Sequence, residues 1–354
     1  MHCFQGSGIR HLLFSLCLGS GLAVVAAPPE TLYWDGTDTT ADADGGAGAW
    51  DTATLNWDNA ALAGTATAWS STPADAAIFG GTGGLVSLGA GIEATALTFT
   101  ATGYTLGSNS LTLSGTPVVS VGAGLTATAT TSLISTVNVG LSGGGTFSIN
   151  PAAGNNNGLT GGVTVSGAGT IVELRGNNSG GSSAGTGTLT IEAGAIVRAF
   201  SHNTLGQGIG SALSPLVING GTFEADAYNH VNSITLNGGT VGVRTGAAQV
   251  DGMDMKFRVV NPTVTTLASA ATSTISSIMT VNVPLTITTA DGAAATDLLV
   301  SGGVVGPPPS PRKDRAPWPS RRRRRIRAAP CSTAASWTSP AAAGPGEPSA
   351  APSP

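Results

Sequence analysis

The sequence predicts an all-β chain wound as a right-handed parallel β-helix, a β-solenoid of short Gly/Thr-rich coils. Three observations point there. Of 354 residues, 52 are glycine, while aromatic residues make up 5% and charged residues 10%. That charge content is under half the usual share and excludes coiled coils, helical bundles and disordered polyelectrolytes. Short apolar/Thr alternations recur between Gly, Asn and Ser clusters, as in Leu111–Leu113, Val163–Val165, Thr188–Ile191, Pro215–Ile218 and Ser233–Leu236. A period of two gives each run one buried and one wet face. A Gly-containing turn followed by Thr and an apolar residue returns at Thr146, Thr170, Thr188, Thr222 and Thr240.

Met1 to Ala26 reads as a secretory signal peptide, with Arg10 and His11 before the apolar stretch, and Val24 and Ala26 at the cleavage rule positions. Gly19, Ser20 and Gly21 interrupt that stretch, so a retained membrane anchor is the weaker reading. No membrane span is expected in the mature chain. Cys3 and Cys17 leave with the signal and Cys331 lies in the tail, so the exported body has no disulfide to staple it.

Residues 27–80 hold Trp34, Trp50, Trp57 and Trp69, all the tryptophans of the body. They are expected to cap the open end of the stack, an edge that otherwise invites pairing with another chain. The functional alternative is a sugar-stacking platform, for which Trp50 and Trp57 are the candidate ligand-stacking residues. Thr40 to Gly45, with Asp42 and Asp44, loosely imitates a calcium loop ending at Asp51, though it lacks Asp at its first place and Glu at its twelfth. A solvated acidic loop is the default.

Residues 81–306 form the expected solenoid. At about 22 residues per coil, the body would make about twelve coils and a rod of roughly 60 Å. Asn-Gly-Gly at residues 219–221 and 237–239 supplies the positive-φ corners. The same turns also close antiparallel hairpins, which keeps an antiparallel β-sandwich as the alternative.

The opening Leu32-Tyr-Trp34-Asp-Gly36, the segments Ala49-Trp50-Asp51 and Leu55-Asn-Trp57, and the run Ala74-Asp75-Ala-Ala-Ile-Phe79 resemble bacterial autotransporter-associated β-strand repeat proteins. The resemblance covers about residues 31 to 300 and is specific only at its start. It implies secreted or surface-displayed β-helical passenger material, from a family of mostly unknown activity.

Residues 307–354 are Pro/Ala-rich and basic and are expected to be disordered. From Ala27 to Val300 there are 17 acidic and five basic residues, whereas from Ser301 onward nine are basic and two acidic. This break matches a reading-frame shift near Gly306, which would make the chain a truncated passenger.

No nucleophile elbow, zinc spacing, phosphate loop or dinucleotide fingerprint occurs. Catalysis, a cofactor and a nucleic-acid partner are therefore not expected. Glu224, Asp226, Tyr228 and His230 superficially offer acid, base and imidazole, but are expected to be polar residues on a loop or outward face. The functional expectation is an exported β-solenoid with a structural or adhesive role, whose partners are surface glycans or other cell-surface material. The alternative is a β-helical polysaccharide-binding or polysaccharide-cleaving protein. Against cleavage of acidic sugars stand the five basic residues (Arg175, Arg198, Arg244, Lys256 and Arg258), which look scattered along an acidic body.

Overall fold

The computed structural model describes residues 29–306 except 38, 152–156, 177–181, 208–212, 249, 251 and 260, together with the backbone of Ala335–Trp337. The expected signal segment, 1–26, and the rest of the 307–354 tail lie outside the described residues. Every regular element described is a strand.

The strands stack into parallel sheets around one core. The first sheet runs from Thr31–Trp34 through Ile92–Phe99, Val163–Val165 and Leu216–Asn219 to Leu285–Thr289. The second sheet has 11 strands, from Gly48–Trp50 through Thr146–Ile149 and Ile196–Ala199 to Leu298–Val300. A third, 4-stranded sheet begins only at Asn229–His230 and ends at Val304–Val305. Antiparallel strand pairs occur at the two ends of the first sheet: Thr31–Trp34 with Trp57–Asp58 and on to Ala66–Thr67, and Leu285–Thr289 with Ala335–Trp337. The chain is a β-solenoid; the sandwich alternative is excluded, because its stacked strands pair in parallel.

Strands begin in either of two phases, and both phases occur in each of the two large sheets. Leu189–Glu192 and Leu216–Asn219 begin with a buried apolar residue, whereas Thr146–Ile149 and Thr222–Ala225 begin with a half-exposed Thr followed by buried Phe. Both phases turn the apolar residues inward, where they form one continuous cluster from Leu32 to Val300. Each fully buried Val, Leu, Ile or Phe contributes about 1.5–3 kcal/mol relative to exposure. All five runs singled out by their apolar/Thr alternation lie in the first sheet.

The Gly-Thr unit is less uniform than its sequence suggests. Thr146, Thr170, Thr222 and Thr240 open or precede strands of the second sheet, but Thr188 precedes Leu189–Glu192 of the first. Counting all five as one series mixes two corners of the coil. In the middle of the second sheet the true rungs are Thr146, Ile171, Ile196 and Thr222, separated by 25, 25 and 26 residues. The expected twelve coils of about 22 residues become eleven rungs of uneven length in that sheet, from 18 residues between Thr222 and Thr240 to 34 between Thr240 and Thr274, a stack of about 50 Å.

The Asn-Gly-Gly corners show why two glycines are needed. Gly220 and Gly238 have φ of +76° and +67°, a region unfavourable to side chains. Their successors need space instead. A Cβ on Gly221 would lie 2.6 Å from Ile191 Cγ2, and one on Gly239 would lie 2.4 Å from Ile218 Cγ2.

At the first rungs the core is aromatic. Trp34, Trp50, Trp57 and Trp69 are buried and meet edge-on or tilted, with Trp50–Trp57 centroids 5.1 Å and Trp57–Trp69 centroids 4.7 Å apart. Phe79 stacks on Phe99 at 4.9 Å and carries the series inward. The buried carboxylate of Asp75 ties this end together by accepting hydrogen bonds from the backbone N–H groups of Glu30 and Ser70, at 2.8 and 3.1 Å.

Candidate interaction surface

Trp50 and Trp57, the candidate stacking residues, are both 0% exposed. A sugar platform needs an open aromatic face, and these indoles spend theirs on each other, on Trp69 and on Phe79. The acidic loop likewise gathers no ligand set. Asp42 bridges to Leu62, and Asp51 accepts hydrogen bonds from the Ala53 and Thr54 backbones and the Thr54 hydroxyl. Those turn contacts hold the Asp51 carboxyl below the usual carboxylate range. Among the described residues no group of three or more His, Cys, Asp or Glu side chains is placed to hold a metal ion.

The chemistry of this chain lies elsewhere, on the outward side of the second sheet and the corner beyond it. The 25-residue register brings Glu173, Arg198 and Glu224 side by side on consecutive rungs. Two residues further along, Arg175, Phe200 and Asp226 continue the same ladder, each N–H reaching the carbonyl of the rung before it. Arg244 joins from the next rung through its ion pair with Asp226. The five basic residues, scattered in sequence, are thus drawn to neighbouring rungs, which corrects the sequence expectation.

Four of the five cations have an acidic anchor. Arg175 Nε lies 2.9 Å from Glu173, Arg198 Nε 2.7 Å from Glu224, Arg244 Nε 2.8 Å from Asp226, and Lys256 Nζ 4.0 Å from Asp254. Aromatic rings provide a second support. The Arg175 guanidinium sits 4.0 Å above Phe200, and Lys256 Nζ 3.9 Å above Tyr228, each within cation–π range. In every pair the cation is the more exposed partner. Arg175 is 41% exposed against 16% for Glu173, and Arg244 is 47% against 10% for Asp226. Arg198 and Lys256 are 24% and 26% exposed, against 3% and 7% for Glu224 and Asp254. The acids form the floor of the strip and the cations its surface.

Glu224 and His230 are buried, in contrast to the outward placement expected from sequence. Glu224 is held by Arg198 and by the backbone and hydroxyl of Thr245. His230 Nδ1 lies 2.8 Å from Asn203 Oδ1. That oxygen can only accept, so Nδ1 carries the proton and Nε2 the lone pair. Nε2 has no hydrogen-bond partner among the described residues. Burial first, then the nearby Arg258 and Lys256 charges, push the imidazole pKa down to about 4, while Asp254 opposes them. His230 is therefore neutral at pH 7. Tyr228 packs between both histidines, 4.2 Å from His202 and 5.7 Å from His230 by ring centroids. With Glu224 committed to Arg198 and His230 to Asn203, the two are held in separate contacts.

One signal in the sequence would have exposed the strip. Charges of alternating sign at Glu173, Arg198 and Glu224, one coil length apart, mark a ladder once the coil length is known to be 25 or 26 residues.

No protein-family profile and no solved structure matches the chain. It is similar to a curated protein, the adhesin BmaC autotransporter of Brucella suis biovar 1 (strain 1330), with 32% identity over 216 residues. The match covers 60% of this chain, which spans only 5% of the length of that relative. Among the described residues no helix is long and apolar enough to cross a membrane.

Proposed function

We propose that this chain is a stretch of an exported, surface-displayed, adhesin-like passenger whose role is structural or adhesive rather than catalytic. The observation that carries the reading is the similarity to an adhesin autotransporter over 60% of the chain. The β-solenoid supports it physically. Parallel rungs about 4.8 Å apart repeat outward positions along an axis, so weak contacts add up by avidity. Surface glycans or other cell-surface material are the partner class.

Antibody labelling of intact host cells tests the display. Label on intact cells that is removed by external protease is expected, together with lower attachment of a strain lacking the gene. Label accessible only after lysis would overturn the reading.

A further inference from the structure

We propose that the strip formed by Arg175, Arg198, Arg244, Lys256 and Arg258 binds an acidic polysaccharide laid along the solenoid axis. The proposal rests on the display reading and names its partner class.

Charge distribution carries the argument. Between residues 27 and 300, every Lys and Arg belongs to this strip; outside it stand 13 of the 17 acidic residues and no basic one. A polyanion would be repelled elsewhere on the body and meet exposed cations here. Against its four paired acids the strip keeps five cations, and in each pair the cation is the more exposed partner and so the one a ligand reaches. Arg258 is also exposed and forms no ion pair among the described residues.

Geometry narrows the ligand. Arg175 and Arg198 occupy adjacent rungs, and Arg244, Lys256 and Arg258 share the coil two rungs beyond Arg198, so at about 4.8 Å per rung the cations span ~14 Å, the length of a few units of an extended polysaccharide bearing one carboxylate per unit. The three paired arginines each contact their acid through Nε, one of five guanidinium donors. Phe200 and Tyr228 hold Arg175 and Lys256 in place before binding, which reduces the ordering cost. The exposed His202 and half-exposed Tyr228 add polar groups for sugar hydroxyls. A nucleic acid is the poorer match: duplex DNA carries a charge about every 1.7 Å, far denser than five cations over a floor of four acids.

The test measures binding of the purified chain to immobilised polygalacturonate, with dextran as the neutral control and duplex DNA as the competing polyanion. Binding to polygalacturonate that weakens from about 50 to about 500 mM sodium chloride is expected, as is none to dextran. The triple substitution Arg244→Gln, Lys256→Gln, Arg258→Gln should weaken it about a hundredfold, about fivefold per cation; Arg244→Lys alone should retain most of it. If the triple variant fails to fold, protection of Arg244 and Arg258 from a guanidine-selective reagent in the parent, mapped by mass spectrometry, decides. Unsaturated sugar products would keep the site and add turnover. Equal binding to dextran, stronger binding to DNA, full binding by the folded triple variant, or protection confined to other positions would overturn the proposal. Because purified chain is used, these results are separate from whether cells display it.

Discussion

The two halves of the stack solve the same problem with different materials. Between Thr31 and Ile149 a series of rings runs through the aliphatic core: four tryptophans, then Phe79, Phe99, Tyr104 and Phe147. The outer surface of that half carries acids and no Lys or Arg. From Ile171 onward the interior is mostly Val, Ile and Leu, and the outer surface carries the charge ladder. In the first half, large shapes inside determine how one rung sits on the next. In the second, apolar alternation and paired charges act together, since a slip by one residue would turn Phe223 outward and put it beside Arg198 in place of Glu224. A solenoid can thus hold register from either side of its wall.

Trp57→Ala should separate the halves most strongly. It removes a fully buried ring touching Trp34, Trp50, Trp69 and Phe79. A loss of about 3–5 kcal/mol is expected, read by urea unfolding. Protection of amides between residues 31 and 99 should fall before that of residues 190–240 in hydrogen exchange. Equal loss in both halves would show that the stack unfolds as one unit.

Glu224→Gln probes the ladder from below. It leaves the Arg198 guanidinium half-buried without its counter-charge, and about 2 kcal/mol should be lost. Double-mutant analysis with Arg198→Gln should recover part of that, since removing both charges leaves neither stranded.

A smaller effect comes from pH. His230 has a depressed pKa in the folded chain, about 4 against the ordinary 6.5. The unfolded chain therefore takes up a proton first as pH falls, so the contribution is full above about 6.5 and lost on the way down to about 4. The parent should lose about 1–2 kcal/mol more than His230→Asn across that window, measured as parallel urea titrations. Identical pH profiles would show that the imidazole is not held neutral.

Arg244→Gln should be the mildest. Its ion pair with Asp226 is solvent-exposed on the cation side, so stability should change by less than about 1 kcal/mol. A larger loss would mean that the outer cations support the fold as much as the buried acids do.

Much of the architecture was legible in the sequence because strand periodicity and corner chemistry are local. Thr164 between Val163 and Val165 already specifies an outward position, and Gly220 followed by Gly221 specifies a corner. The aromatic end was also legible as a cluster, since its four tryptophans fall within 36 residues. Their burial agrees with the cap reading, though a tryptophan's sequence neighbours do not by themselves say whether its ring faces inward or out, which kept the stacking platform open. The cationic strip was hidden for a different reason. Glu173, Arg198 and Glu224 meet only if the coil length is right, and Thr188, which resembles the second-sheet threonines but belongs to the first sheet, obscured that length.

By itself, the sequence determined that the chain is built of short strands and glycine corners, since both follow from side-chain size and alternation over a few residues. Only the tertiary structure decided that distant cations share one surface while their acids lie beneath, because register between coils depends on every turn length separating them.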